Sequence, residues 1–345
     1  MAKDIRTKII EYLIKHPNKP AKEIANGVKG AVRTIQRAIS KLVNDNLIVV
    51  IGTGRGTKYA ITQAYNIIRE INLKNYYKKG AENRNAQSGY NFDLIETLAT
   101  VSLFTLNELN QLNELQRSYE EKLKQLQNSP ILLKKSIQKH SIELIWKSSK
   151  IEGSTYTLLE TENLINENKT ADNKTIDEMT MLLNHKKAID FIYQYPDYLT
   201  PLTLTNIENI HSLLINDLGV GKNIRTMAVG VTGTEYHPID NEHQIREALI
   251  ETCKLVNNTE CIFSKVLLTV ILISYIQGFE DGNKRTARIV ANGVLVGHNY
   301  CPLSYTTVEV SEFKKAILLF YEQNNISAFK KIFIEQYEYA VMRNY

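Results

Sequence analysis

The sequence predicts a mainly α-helical protein with a small mixed α and β domain at its N-terminus. From Lys134 onward, apolar residues recur at helical spacing, and short polar loops separate the helical segments. Residues 1–62 instead have the pattern of three short helices followed by two strands. We find no internal repeat of roughly 20–50 residues, and this absence argues against a solenoid.

Length and composition are those of a globular protein. At 345 residues, with 43% hydrophobic and 23% charged side chains, the chain is long enough for more than one domain. The N-terminus lacks a signal-peptide core, and the longest apolar run, Val266 to Ile276, is too short to span a bilayer. The cysteines are scattered outside any metal-binding spacing. We therefore expect a cytoplasmic protein with reduced cysteines and no membrane partner.

The positive charge is concentrated at the N-terminus. Residues 1–62 hold 12 Lys and Arg against 4 Asp and Glu, a net charge of +8. The remaining residues hold 30 basic against 33 acidic side chains, a net charge of −3. This distribution predicts an anionic partner for the N-terminal domain alone.

The first 62 residues have a recognisable order of elements. Apolar spacing predicts helices over Ile5–Ile14, Ala21–Val28 and Thr34–Leu42, and then strands over Leu47–Ile51 and Lys58–Thr62. A glycine-rich loop joins the two strands. This order resembles a winged helix-turn-helix domain, in which the third helix enters the major groove of DNA.

That resemblance implies DNA binding through residues 1–62. The third helix would present its polar side chains to bases and phosphates, and the wing would reach the backbone or minor groove. The implied DNA-binding residues are Arg33, Gln36, Arg37, Lys41, Arg55 and Lys58. The alternative is that the same module serves protein contacts or dimerisation.

The rest of the chain divides into a connecting region, residues 63–100, and a helical domain, residues 101–345. The connecting region is rich in Asn, Lys, Gly and Tyr, and a capping box at Thr105 to Glu108 opens the helical domain. One segment departs from the helical pattern. Within Gly219 to Pro238, the runs at 229–231 and 235–236 predict a small β-hairpin or flap.

The run from Gln277 to Arg288 combines the parts of a phosphate-binding loop. It follows a predicted helix over Lys265–Ile276 and leads into another over Arg285–Leu295, whose N-terminus favours an anion. Asp281 is a ligand that suits Mg²⁺ between phosphate oxygens. The amide of Gln277 cannot accept a proton near neutral pH. The run therefore predicts phosphate binding without an evident general base.

This run resembles the signature of the Fic family, H-x-F-x-D/E-G-N-x-R-x-x-R. Gln277 replaces its histidine, and the positions that match are Phe279, Asp281, Gly282, Asn283, Arg285 and Arg288. Most members of the family transfer AMP from ATP to a hydroxyl side chain of a protein. The resemblance implies a Fic-type helical domain with ATP as substrate and Mg²⁺ on Asp281. The implied phosphate-binding residues are Gly282, Asn283, Lys284, Arg285 and Arg288.

Two further segments extend the resemblance. Ser148, Glu152 and Gly153 match the family's inhibitory motif, S/T-x-x-x-E-G/N, placed before the Fic core. The resemblance implies that Glu152 pairs with Arg288 and displaces the γ-phosphate of ATP.

The flap of the family aligns a target segment by strand addition. The corresponding residues are Val229, Gly230, Val231 and Tyr236.

Gln277 separates nucleotide binding from catalysis. ATP and Mg²⁺ contacts do not use the histidine, whereas a general base is worth roughly two to four orders of magnitude in rate. Three explanations remain open. The chain is a nucleotide-binding pseudoenzyme, or it uses another base such as Glu280, Asp281 or His237, or the glutamine was introduced to make an inactive variant.

The sequence thus leaves the function between alternatives. The first is an autoinhibited protein adenylyltransferase that acts on a Ser, Thr or Tyr hydroxyl of a protein. Its own chain is one candidate target, and a homo-oligomer is one candidate assembly. The second is an ATP-sensing transcriptional regulator whose Fic domain is inactive. The third is a protein kinase of the Doc type, because Lys284 stands where other members often have glycine.

Overall fold

A computed structural model describes residues 4–84 and 86–343, except for the side chain of Arg55. The described chain divides into two compact units. The first contains the residues up to Glu70 together with Glu96–Val101. The second contains Ile71–Ile95 and the chain from Ser102 onward. Much of the expected connecting region therefore belongs to the second unit.

The first unit is built as the apolar pattern predicts. Three helices enclose a buried core, and a two-stranded antiparallel sheet pairs Ile48 with Ile61 and Ile51 with Lys58. Its elements are α1 (Ile5–Lys15), α2 (Ala21–Val28), α3 (Val32–Asn44), β1 (Ile48–Ile51), β2 (Lys58–Ile61) and α4 (Gln63–Ile68). The core residues include Ile9, Leu13, Ile24, Ile35, Ile39 and Leu42.

The second unit is helical. Thr105 is the N-cap of its first long helix, where the predicted capping box forms with both hydrogen bonds present. Helix α6 (Leu94–Leu98) has residues in both units. The other helices of the second unit are α5 (Leu73–Tyr76), α7 (Leu106–Gln127), α8 (Pro130–Ile151), α9 (Leu158–Glu167), α10 (Ile176–Gln194), α11 (Leu204–Leu214), α12 (Glu242–Asn258), α13 (Ile262–Ile276), α14 (Asn283–Gly297), α15 (Val310–Gln323) and α16 (Ser327–Arg343).

Helix α13 is the centre of the second unit. Every residue from Val266 to Ile276 is buried, because the helix is apolar on all sides and is covered by α12, α14 and α15. Its 15 residues are too few for a membrane span. Among the described helices, none combines the length and apolar character that crossing a bilayer requires.

Helix α14 carries the second half of the signature and packs closely against its neighbours. It contacts α8, α10, α11 and the 3₁₀ turn Pro196–Leu199. At Gly293 a Cβ atom would lie 2.1 Å from Cδ1 of Leu199 and 3.3 Å from Cγ2 of Ile192. Both side chains are buried. Glycine at this position therefore allows the close approach that fixes α14 in the unit.

The β-hairpin predicted between Gly219 and Pro238 does not form. The segment forms turns and extended backbone, and its one bridge pairs His237 with Gly89. The Arg225 side chain explains the difference, since it donates to the carbonyls of Met227 and Ile239 and so joins the residues on either side of 229–238. A side chain thus replaces the ladder of hydrogen bonds that would make a hairpin. We call Val229–Pro238 the flap.

We predict that Gly293→Ala destabilises the helical unit, although alanine normally favours a helix over glycine. The added methyl group overlaps Leu199, so the free energy of unfolding should fall by about 1–3 kcal/mol. Urea denaturation followed by far-UV circular dichroism measures the change. Gly230→Ala is the control, because a Cβ atom there meets nothing within 4 Å. A more stable Gly293→Ala protein would contradict the packing described here.

Candidate functional site

The loop between α13 and α14 is held in an unusual backbone conformation. Gln277 ends α13 with φ at 51°, and Gly282 precedes α14 with φ at 81°. A Cβ atom at Gly282 would also lie 3.0 Å from Cγ2 of Ile215, so this position needs glycine. The Asn283 side chain closes the loop: it accepts from the Phe279 N–H and donates to the Phe279 carbonyl, each at 2.8 Å.

Phe279 anchors the loop in the core against a histidine that the sequence analysis missed. The rings of Phe279 and His211 stack with centroids 3.8 Å apart and planes 9° apart. Nε2 of His211 donates to the Asp281 carbonyl at 3.0 Å, because a carbonyl only accepts. Burial lowers the pKa of His211, which keeps the ring neutral. The apolar spacing of Ile207, Ile210 and Leu214 places His211 on the buried face of α11, and this was the available signal.

Arg225 is a second residue that the sequence did not reveal. Its Nε donates to the Gln277 carbonyl at 2.6 Å, and its backbone N–H donates to the Gly278 carbonyl at 3.0 Å. The same guanidinium reaches Met227 and Ile239 at the two ends of the flap segment. One buried arginine therefore fixes the signature loop and the flap together.

Both polar atoms of the Gln277 side chain have hydrogen-bond partners. Its Nε2 donates to the Ser274 carbonyl at 2.5 Å and to the Tyr321 hydroxyl at 3.2 Å. Its Oε1 accepts from Nδ2 of Asn283 at 3.4 Å. Burial raises the pKa of Tyr321, so that hydroxyl stays protonated at neutral pH. The groups at this position hold the loop but offer no proton acceptor for an attacking hydroxyl.

Arg288 is fully buried and makes the predicted pair with Glu152. Its Nη2 donates to Oε1 of Glu152 at 2.7 Å and to the Ser148 carbonyl at 3.1 Å, and its Nε donates to Oγ of Ser148 at 3.0 Å. Burial acts to raise the pKa of Glu152. The positive charges of Arg288, Lys284 and Arg285 outweigh that effect and lower it. Glu152 is therefore a carboxylate at neutral pH.

His185 completes this arrangement and was also missed from the sequence. Nδ1 of His185 lies 2.9 Å from the Met181 carbonyl, and Nε2 lies 3.0 Å from Oγ of Ser148. Burial, reinforced by Arg285, lowers the pKa of His185 to about 3, so the ring is neutral. The Nδ1 proton then points to the carbonyl, and Nε2 accepts from Ser148. The Ser148 oxygen is left free to accept from Arg288.

Arg285, the first arginine of the signature, also pairs with a carboxylate. Nη2 of Arg285 lies 2.7 Å from Oδ2 of Asp281. The Arg285 side chain is 4% exposed, whereas that of Asp281 is 65% exposed. Nη1 of Arg285 and Nη1 of Arg288 are buried without a hydrogen-bond partner in the described structure. Each arginine thus has a buried guanidinium nitrogen that no described group engages.

A cavity of about 340 Å³ brings many of the predicted residues together. The flap contributes its first residues, α15 contributes Phe313, Lys314, Ile317 and Leu318, and Glu280 lies at the loop. The predicted residues that line it are Glu152, Val229, Gly230, Val231, Gln277, Asp281, Gly282, Asn283 and Lys284.

Other predicted residues lie outside this lining. Arg285, Arg288, Ser148 and Gly153 do not line the cavity, so the carboxylates of Asp281 and Glu152 face it in place of the arginines. Tyr236 is buried and stacks on Tyr275 at 4.7 Å. His237, one of the alternative bases, is exposed and is not part of the lining.

The predicted DNA-binding side chains are solvent-exposed in the first unit. Arg33, Gln36, Arg37 and Lys41 lie on the exposed face of α3, opposite its buried residues, and Lys58 is exposed at the start of β2. The Arg55 side chain lies outside the described part of the chain. Exposed cations on α3 and β2 are compatible with an electrostatic contact to an anionic polymer.

Comparison with known proteins identifies the fold. Residues 201–295 match the Fic/DOC family profile. The chain is similar to a Fic domain-containing signaling protein from Bacteroides thetaiotaomicron, with 20% identity, 68% of this chain and 93% of that chain covered, and a TM-score of 0.54. It is similar to a Fic family protein from Desulfovibrio desulfuricans, with 17% identity, coverage of 69% and 74%, and a TM-score of 0.58. For Fic-1 from C. elegans the identity is 14%, the coverage 98% of both chains and the TM-score 0.59.

We predict that the Glu152–Arg288 pair makes stability depend on pH. Because the folded pKa of Glu152 lies below the ordinary value of 4.5, its contribution is present above that pH and is lost as the pH falls through the folded pKa. At pH 7, Glu152→Gln should lower the free energy of unfolding by about 1.5–3 kcal/mol. Denaturation of both proteins between about pH 7 and pH 3.5 measures the difference, which should shrink below pH 4.5.

The exposed carboxylate Glu162 on α9 provides the control for this measurement. Glu162→Gln removes the same charge without touching Arg288, so its effect should stay within about 0.5 kcal/mol. A difference for Glu152→Gln that does not change across the pH range would show that the ion pair is not the cause.

Proposed function

We propose that this chain is an autoinhibited protein adenylyltransferase, because residues 201–295 match the profile of the Fic/DOC family, which includes AMP transferases. The reaction would join the α-phosphorus of ATP to a Ser, Thr or Tyr hydroxyl oxygen of a protein and release pyrophosphate. The target is another protein, the chain itself or a second copy of it. The observation that carries the proposal is the cavity between the signature loop, Glu152 and the flap.

The cavity has the groups that a triphosphate needs. The N-terminus of α14 opens at the loop, and its free N–H groups favour an anion. Lys284 lines the cavity, and Arg285 and Arg288 each keep an unpaired buried nitrogen. Lys284 and the N–H groups of α14 support phosphate binding at the entrance to α14, and Arg285 and Arg288 would add to it on releasing Asp281 and Glu152.

The donor set also fits Mg²⁺ that arrives with the nucleotide. Asp281 presents an exposed carboxylate to the cavity, and the described residues contain no cluster of three or more metal-binding side chains. Mg²⁺ commonly takes one or two carboxylates together with phosphate oxygens and water. Asp281 would hold the ion, which supplies charge neutralisation at the phosphates, and Arg285 would exchange Asp281 for phosphate.

Glu152 supports the proposal of autoinhibition. Its carboxylate pairs with Arg288 and lines the cavity, so it takes the cation that the γ-phosphate would use. Ser148 and the neutral His185 hold the same guanidinium from the other side. We infer that a nucleotide bound in this state lacks its γ-phosphate contact and lies in a poorly aligned position.

Gln277 sets a second restriction, which acts on the chemical step. Its amide is tied to Ser274, Tyr321 and Asn283 and has no basic lone pair. Of the alternative bases, Glu280 and Asp281 line the cavity and His237 does not. Asp281 pairs with Arg285, and Oε2 of Glu280 accepts from the Gly221 N–H at 3.2 Å, so both carboxylates already have partners. Turnover should therefore be slow in the chain as it stands.

The alternative function is an ATP-sensing, DNA-binding transcriptional regulator. It is favoured by the fully bonded Gln277 side chain and by the exposed cations of α3. In this case the Fic domain binds nucleotide without turnover, and residues 1–62 form the functional DNA-binding domain. A third possibility, transfer of the γ-phosphate as in Doc-type kinases, rests on Lys284 in the cavity.

We predict that AMP transfer requires two substitutions. Incubation with α-³²P-ATP and Mg²⁺ compares the chain with Glu152→Gly, Gln277→His and the double variant. Removing Glu152 frees Arg288, and histidine restores a base worth roughly two to four orders of magnitude. The double variant should label itself or added protein, and each single variant should label far less.

The same experiment includes its controls. Glu162→Gly, combined with Gln277→His, removes an exposed carboxylate outside the cavity and should not activate. Label from γ-³²P-ATP but not from α-³²P-ATP would favour kinase chemistry. If no variant incorporates label, the regulator becomes the better interpretation, and ATP binding measured by calorimetry becomes its first test.

We predict that DNA binding by residues 1–62 is strongly salt-dependent. Each phosphate contact contributes about −0.9 to the slope of log K against log salt concentration for duplex DNA. Arg37→Ala on α3 should reduce the magnitude of that slope by about one. Lys8→Ala removes the same charge from the exposed side of α1 and should change the slope less. Fluorescence anisotropy with duplex DNA measures both, and absent or salt-insensitive binding would favour a protein-contact module.

A further inference from the structure

A buried ion pair outside the phosphate site links α15 to residues 76–84 and 86–91, which we call the strap. Nη2 of Arg84 lies 2.8 Å from Oε1 of Glu322, and these side chains are 8% and 0% exposed. The Tyr76 hydroxyl donates to Oε2 of Glu322 at 2.8 Å. The Gln87 N–H donates to the Glu322 carbonyl at 2.8 Å. Glu322 therefore binds three separate residues of the strap.

The strap also holds the flap at two points. Nη2 of Arg84, which pairs with Glu322, donates to the Gly233 carbonyl at 2.7 Å. Further along, the His237 N–H donates to the Ser88 carbonyl at 2.9 Å, and Gly89 pairs with His237 in a parallel bridge. Arg84 thus fixes the turn of the flap, and Ser88 fixes its C-terminal part.

Both segments share an anchor at the end of α13. The rings of Tyr90 and Tyr236 each stack on Tyr275, with centroids 5.0 and 4.7 Å away. The Tyr275 hydroxyl accepts from the Asn91 N–H at 2.9 Å, and the Tyr236 hydroxyl donates to the Tyr275 carbonyl at 2.9 Å. Because Tyr275 lies two residues before Gln277, the strap and the flap are both fixed close to the signature loop.

We propose that the strap holds the flap in the position that receives an extended target segment, with Arg84 as the positioning residue. The inference rests on the proposed function, because it concerns the target side of the same site. The flap lacks a hairpin ladder, so its shape depends on side chains that reach it from outside. An extended peptide adds to such a segment through main-chain hydrogen bonds, so the flap backbone must be held in position to receive it.

Hydrogen exchange tests the strap without any need for catalysis. In Arg84→Met, peptides covering 229–240 should exchange roughly ten- to a hundredfold faster, since a charge-assisted hydrogen bond is lost. Peptides from α13 should keep their exchange rate. Tyr77→Phe is the matched control, because the Tyr77 hydroxyl joins the strap to the Lys315 carbonyl of α15 but does not touch the flap.

A second variant keeps the test decisive if Arg84→Met alone fails to fold. Arg84→Met leaves the Glu322 carboxylate buried with the Tyr76 hydroxyl as its remaining side-chain donor, so Arg84→Met combined with Glu322→Gln removes the pair as a whole. Faster exchange confined to the flap in either variant supports the proposal. Unchanged flap exchange, or equal acceleration throughout the helical unit, overturns it.

Labelling kinetics distinguish a role in positioning the target from a general loss of active-site structure. In the background of Glu152→Gly with Gln277→His, Arg84→Met should lower self-labelling by α-³²P-ATP at saturating nucleotide about tenfold, with KM for ATP unchanged. A change in KM for ATP instead would overturn the positioning role. If the background itself incorporates no label, the proposed function fails, and hydrogen exchange still decides whether the strap holds the flap.

Discussion

At the centre of the helical unit, the guanidinium of Arg288 is removed from solvent and must be neutralised and hydrogen-bonded from within the fold. Ser148 and Glu152, at the end of α8, provide those partners, and the neutral His185 orients the Ser148 hydroxyl. A buried charge that loses its partner is costly, so this arrangement ties α8 to α14. The same arrangement decides whether Arg288 is available to a phosphate.

The signature loop adds a second constraint, which is set by the backbone. Left-handed φ values at Gln277 and Gly282 turn the chain sharply, and the Asn283 side chain bonds back to Phe279. This geometry places the N–H groups of α14 at the cavity, and the Gln277 side chain supports it with hydrogen bonds but supplies no base. Phosphate binding and proton removal are therefore carried by different parts of the loop, which is why one can persist without the other.

The flap depends on groups that are distant from it in the sequence. Arg225 joins its ends to the Gln277 carbonyl, and Arg84 and Ser88 hold it from the strap. A segment that is fixed by side chains instead of a ladder of backbone hydrogen bonds depends on whether those side chains keep their partners. We infer that target binding and the state of the strap are linked through this dependence.

The sequence by itself determined the local parts, namely the helices of the first unit and the apolar helix α13, because periodicity and short-range spacing are sufficient for these. The signature residues and the pairing of Glu152 with Arg288 followed from the resemblance to the Fic family and not from any local pattern. Only the tertiary structure decided that His185 and His211 belong to the site, that Arg225 replaces a hairpin ladder, and that Arg84 reaches Gly233. These contacts join residues far apart in the chain, and no local pattern specifies them, because they arise when separate helices bury their polar groups together.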